Sequence, residues 1–95
     1  MAGWVYIVTN EARGALYVGV TNSLGRRVWE HREEVYGGFT KRYGLHRLVW
    51  YEEFSTMPEA IHREKRLKKW PRQWKIDLVE GFNPAWKDLY ETLNA

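Results

Sequence analysis

Five polar side chains stand out because of where the sequence puts them. At about 100° per residue, Arg27 follows Leu24 by three and His31 follows Val28 by three. Both point along the side of a helix that carries the stripe Leu24, Val28 and Val35. In a later helix the stripe is Ala60, Ile61 and Leu67, and Glu64 stands in its middle. Charged side chains are almost never fully buried unless paired or bound to metal. One outcome is a structural Arg27–Glu64 ion pair at the core edge, with His31 a satisfied core histidine. The other is a cleft in which the Glu64 carboxylate holds a metal and the Arg27 guanidinium faces a phosphate. Helical periodicity does not separate the two. Tyr6 and Tyr17 weigh toward the cleft, because they lie on adjacent strands of a hairpin, where cross-strand neighbours sit side by side. The usual role of such tyrosines is packing, with the hydroxyl at the core margin; the other is to deliver two phenols to one cleft.

The elements that must position these groups are legible in order. Trp4-Val5-Tyr6-Ile7-Val8-Thr9 is β-branched and aromatic, so it reads as a strand. Asn10 to Gly14 is a turn, and Ala15 to Val20 is the second strand of an antiparallel hairpin. Thr21, Asn22 and Ser23 offer N-caps for a helix running to about Val35, which Gly37-Gly38 breaks. The segment from there to His46 reads as loop, and Leu48 to Phe54 as a third strand. Thr56-Met57-Pro58-Glu59 has the form of a capping box, opening a helix to about Trp70, where Pro71 ends or bends it. A further helix covers Arg72 to Val79 with Gly81 as its stop. Asn83-Pro84 restarts a short last helix carrying Trp86, Leu89 and Leu93. The order β-β-α-β-α-α-α makes an α+β domain, a three-stranded antiparallel sheet flanked by helices.

Ninety-five residues leave room for one domain, 1–95. A chain this short must pack densely, and six Trp, six Tyr and three Phe supply the means. Trp50, Trp70, Trp74 and Trp86 are expected in the core and between helices rather than as base-stacking platforms, while Trp29 is expected at the surface. The absence of cysteine excludes a disulfide scaffold and thiolate metal sites. No apolar run approaches the roughly 20 residues of a membrane span, and Met1-Ala2-Gly3-Trp4 lacks the regions of a signal peptide. A soluble, cytoplasmic protein is expected. The net charge of +3 is mild, but Arg63, Lys65, Arg66, Lys68, Lys69, Arg72 and Lys75 crowd into one stretch opposed only by Glu64. Such density suits either a phosphate-binding surface or a solvated helix face. Lys68, Lys69 and Arg72 are the first choices for nonspecific phosphate contacts, whose loss lowers the salt dependence of binding without abolishing chemistry.

The motifs resemble those of the GIY-YIG nucleases. Trp4-Val5-Tyr6 and, after the hairpin turn, Tyr17-Val18-Gly19 are similar to the paired tripeptides that name that family. Arg27 with His31 four residues later resembles its next element, and Glu59-Ala60 with Glu64 resembles its metal-binding helix. The likeness covers roughly Trp4 to Trp70, with core at about 4–70 and C-terminal helices over 71–95. It extends loosely to Asn83-Pro84-Ala85-Trp86 and is nearest to small stand-alone bacterial members, related to the N-terminal catalytic domain of the incision component of the bacterial excinuclease. Phe39-Thr40-Lys41-Arg42-Tyr43-Gly44 and Arg63-Glu64-Lys65 are similar to the same group. Trp4 replaces the first motif's Gly, and Val5 and Val18 replace Ile, without touching a group that does chemistry. Val20 stands where some members carry Lys, so that cation is missing.

The resemblance implies a metal-dependent endonuclease acting on DNA phosphodiesters in repair or processing, with RNA or branched nucleic acid as further substrates to consider. Its catalytic residues would be Tyr6, Tyr17, Arg27, His31 and Glu64. Glu64 would bind one divalent ion, Mg²⁺ or alternatively Mn²⁺, with hard oxygen ligands and retained waters. Arg27 would hold the phosphate, and His31 would hydrogen-bond it or relay a proton. Tyr6 or Tyr17 would deprotonate the attacking water. A phenol of ordinary pKa about 10 needs a nearby cation for that task. The competing function is a non-catalytic nucleic-acid-binding or repair-accessory module that keeps the fold.

Overall fold

The apolar run after Ala2 forms β1 (Gly3–Thr9), which a turn reverses into β2 (Leu16–Thr21). The computed structural model describes residues 2–33 and 44–93. In the turn, the Asn10 side-chain oxygen accepts from the Ala15 amide at 2.9 Å, and the Gly14 amide donates to the Glu11 carbonyl. These bonds hold Arg13 in the left-handed region at φ 57°. β3 (Arg47–Phe54) pairs on the other side of β1, so the antiparallel sheet runs β2-β1-β3. As the central strand, β1 is covered on both faces, which explains its almost unbroken apolar sequence.

Alternation along β1 then divides the core in two. Val5 and Ile7 face a cluster containing Val18, Val49, Ala60, Leu67, Ile76, Val79 and Trp86. Tyr6 and Val8 face the opposite side with Leu24, Val28, Leu45 and Leu48. The first face is closed by α2 (Met57–Lys69) and α3 (Arg72–Phe82), the second by α1 (Leu24–Arg32) and α4 (Tyr90–Leu93). This is the expected α+β order β-β-α-β-α-α-α.

Thr56 caps α2 as expected, with the Glu59 carboxylate returning to its hydroxyl. Thr56 Oγ1 accepts from the Glu59 amide at 3.4 Å and donates to the Glu59 carboxylate at 2.9 Å. Gly3 fits beneath this helix because a Cβ there would lie 2.7 Å from Met57 Sδ and 2.8 Å from Ala60 Cβ. At α1 the N-cap is Ser23 with no side-chain bond to the helix; Thr21 Oγ1 instead accepts from the Ser23 amide. α1 ends at Arg32 with Glu33 as its C-cap, short of the expected end near Val35; Val35, the Gly37-Gly38 break and the Phe39–Tyr43 part of the family-like segment lie outside the described residues.

The C-terminal reading needs correction. α3 continues through Gly81 to Phe82, because at about 1 kcal/mol a helical glycine is tolerated where packing favours the helix. Asn83 restarts no helix: it is buried, and its amide nitrogen donates to the Val49 and Lys87 carbonyls while its oxygen accepts from the Lys87 amide. Trp86 precedes the last helix, at φ 54°. That conformation costs on the order of 1–2 kcal/mol. Burying the indole to 3% exposure and bonding its nitrogen to Glu80 at 2.9 Å offsets the strain. Trp50 is buried and Trp70 half-buried as expected, and Trp29 is exposed, but Trp74 is 56% exposed and not a core residue. In α2 the buried stripe is Ala60, Glu64 and Leu67, whereas Ile61 turns to solvent. No described helix is long and apolar enough to cross a membrane.

Candidate active site

Tyr6 and Tyr17 come together by an offset rather than by direct pairing. In the hairpin register Tyr6 faces Gly19, and Tyr17 faces Val8. Tyr17 and Gly19, two apart, project to one face, so the two tyrosines are diagonal neighbours with ring centroids 6.4 Å apart. Gly19 makes this possible. A Cβ at that position would lie 2.4 Å from Tyr6 Cζ and from its hydroxyl oxygen, so the Tyr6 ring lies over bare backbone. The glycine of the second tripeptide is therefore a space requirement of the tyrosine in the first.

Packed against both phenols is His31, projecting from α1. Its Nε2 is 2.8 Å from the Tyr6 hydroxyl, and its ring lies 5.5 Å from Tyr6 and 5.4 Å from Tyr17. Tyr6 is fully buried and His31 only 3% exposed, while Tyr17 is half-buried and reaches solvent. Burial lowers the His31 pKa to about 4, the nearby Arg27 and His46 charges push the same way, and Glu30 opposes them. The imidazole is therefore neutral at pH 7. The tautomer decides which atom of the Tyr6–His31 bond donates.

Arg27 and Glu64 do not form the structural pair that helical spacing allowed. Arg27 Nε is 3.5 Å from Glu30, and Glu64 bonds Lys68 one turn along α2 at 2.8 Å. Arg27 borders a shallow cleft with Thr21, Asn22, Ser23, Arg26 and Glu30. Lys68 does more than pair: its ammonium is 6.0 Å from the centre of the Tyr17 ring, so it ties the Glu64 carboxylate to the tyrosine pair at the β2 edge. A cation thus stands beside the phenols although Val20 occupies the position where a β2 lysine could have supplied one. Glu30, which neutralises part of the Arg26 and Arg27 charge, was missed by sequence reasoning; its spacing of four and three from those arginines was the available signal.

Glu64 is nearly buried yet keeps 12% of its side chain in solvent. Among the described residues no three His, Asp or Glu side chains gather as a metal cage. One hard carboxylate fits Mg²⁺, which retains most of its waters, and does not fit a metal that needs a full protein shell.

The basic stretch in α2 and beyond divides rather than forming one stripe. Lys68 faces the β2 side, whereas Arg63 pairs with Glu52 of β3 at 3.3 Å. Lys69 is exposed. Arg72 stands apart from the tyrosine cluster, its guanidinium donating to the Arg13 and Gly14 carbonyls of the hairpin turn, the latter at 2.7 Å.

Comparison with known proteins adds to this geometry. The family model of the GIY-YIG catalytic domain matches residues 2–77. A UPF0213 protein of Bacillus pumilus is 34% identical over 75 residues, covering 79% of this chain and 76% of that protein. One from Clostridium perfringens is 34% identical over 78 residues, covering 82% and 83%. The solution NMR structure of the UPF0213 protein BH0048 from Bacillus halodurans superposes with a TM-score of 0.53 at 31% identity, over 84% of each chain.

Proposed function

The chain belongs to the GIY-YIG family, and we propose that it is a metal-dependent endonuclease hydrolysing DNA phosphodiester bonds in repair or processing. The observation that carries this reading is the Tyr6–His31 hydrogen bond beneath an accessible Tyr17, with Arg27 at the rim and Glu64 linked to the same group through Lys68. A purely structural core has no need of that combination.

The residues divide the work by exposure. Tyr17 is the phenol that solvent reaches, so it meets the attacking water, while Tyr6 holds the imidazole from below. Lys68, paired with Glu64, stands beside the Tyr17 ring at 6.0 Å from its centre. His31, kept neutral by burial, serves by orienting the Tyr6 hydroxyl through their hydrogen bond. Arg27, half-exposed and permanently charged, grips the phosphate and stabilises the negative charge that develops on it. Lys68 would add a further phosphate contact there. Glu64 would hold the divalent ion. Bound there, Mg²⁺ supplies polarisation of a phosphate oxygen and help for the leaving oxygen.

Incubation of supercoiled plasmid with Mg²⁺ or Mn²⁺ tests the reading. The wild type should nick it, while EDTA or Glu64→Ala in a folded protein should abolish nicking. Absence of cleavage of plasmid, branched DNA and RNA, with binding retained, would leave a non-catalytic nucleic-acid-binding module.

A further inference from the structure

Trp74 is the largest departure from the expected core, and its surroundings say what it is for. Its indole is 56% exposed near the start of α3, braced edge-on by Trp70 at 5.7 Å and 79°. Trp70 is anchored in turn, since it packs against the core cluster beneath α2 and α3. The Arg63 guanidinium lies 5.2 Å over the Trp70 ring and is oriented by Glu52. Three residues on, Arg66 shares that helix face and lines a shallow cleft with Arg63, His62, Phe54 and Pro58. Lys69 and Arg72, both exposed, flank the Trp70-Pro71 corner. The acidic groups at this surface are Glu52, Glu59 and, three residues after Trp74, Asp77; Glu59 is occupied by the Thr56 cap and Asp77 accepts from Gln73, while Arg63, Arg66, Lys69 and Arg72 outnumber them. The local charge is positive.

We propose that the row Trp74–Trp70–Arg63, with Arg66 and Lys69 beside it, is a binding surface for single-stranded nucleic acid. An indole face held rigid in solvent can stack on a base, and the cations can hold the phosphates that follow it. Every base has a π-face, so such stacking is tolerant of sequence. A duplex cannot use the surface in this way, because its base faces are covered by neighbouring pairs and only its phosphates and groove edges are offered. Arg63 reaches β3 while Lys68 reaches β2, so the row lies on the far side of α2 from the tyrosine cluster. It is therefore a subsite distinct from the catalytic groups. As a statement about substrate, preferring ends, gaps or flaps, it rests on the nuclease reading; as a binding surface it does not.

The test is anisotropy of a fluorescein-labelled oligothymidylate of about 12 nucleotides, and of a hairpin duplex, in EDTA so that no cleavage intervenes. Trp74→Ala should weaken single-strand binding by about 5- to 150-fold, the range for losing one stacked base. Duplex binding should hold within about twofold, Trp74→Phe should retain most of the affinity, and Arg66→Ala should reduce the salt dependence. An exposed Trp is dispensable for folding, and thermal melting of each variant checks that. Unchanged single-strand affinity in Trp74→Ala would overturn the proposal. So would equal losses on single strand and duplex, or a Trp74-dependent dimer in sedimentation with single-strand binding unaffected. Plasmid nicking is scored separately: a protein that binds through Trp74 but cuts nothing refutes the nuclease reading alone.

Discussion

Acid should destabilise this fold through His31 in a window that one substitution can isolate. In the folded chain burial, Arg27 and His46 hold the imidazole pKa at about 4, against an ordinary 6.5. Between those two values the unfolded chain binds a proton that the folded chain refuses. Stability therefore falls as pH drops from about 6.5 to about 4 and is fully present above the ordinary value. The shift of about 2.5 units, at about 1.36 kcal/mol each, sets the loss at on the order of 3 kcal/mol. For a domain of this size that is roughly 12–24 °C in melting temperature. The assay is urea denaturation from about pH 7.5 to about pH 4, comparing wild type with His31→Gln. Glutamine can still bond the Tyr6 hydroxyl but does not titrate. Carboxylates protonate alike in both proteins, so the difference between the curves reports His31. Wild type should lose about 3 kcal/mol more than the variant across the window, and Arg27→Ala should reduce the total loss, because removing one cause of the shift raises the lower end of the window. Parallel wild-type and His31→Gln curves would refute the account of a neutral buried imidazole.

Two substitutions probe the rest of the cluster. Gly19→Ala puts a Cβ within 2.4 Å of the Tyr6 ring. It should cost about 1–3 kcal/mol by overpacking and lower nicking together with stability; a variant as stable and active as wild type would show that the ring has room to move. Glu64→Ala removes a nearly buried carboxylate whose charge partner, Lys68, keeps half its side chain in water. Its melting temperature without metal should stay within about 1 kcal/mol equivalent of wild type, whereas a loss of about 3–5 kcal/mol would mark Glu64 as half of a buried structural pair.

The comparison of sequence and structure turns on the range of the interactions involved. His31 and Glu64 were legible because a polar residue breaking a helical apolar stripe is a local signal, and both are buried. The Thr56 capping box and the hairpin are local in the same sense, set by side chains within a few residues of each other. Where the reading of the C-terminal segment failed, packing against the sheet decides. Trp86 takes a left-handed backbone because Glu80 and the sheet core hold its indole, and Asn83 is buried because the Val49 carbonyl lies 34 residues away. Periodicity counted Ile61 in the α2 stripe and missed Lys68 as the partner of Glu64, since the wheel says which residues share a face but not which neighbour covers it. The tyrosines are the instructive case. Their motif was readable, yet the division between a buried Tyr6 and an accessible Tyr17 follows from Gly19 facing one and Val8 the other. That register leaves one of two similar phenols buried and the other open to solvent, and it is a property of the paired strands, not of either tripeptide.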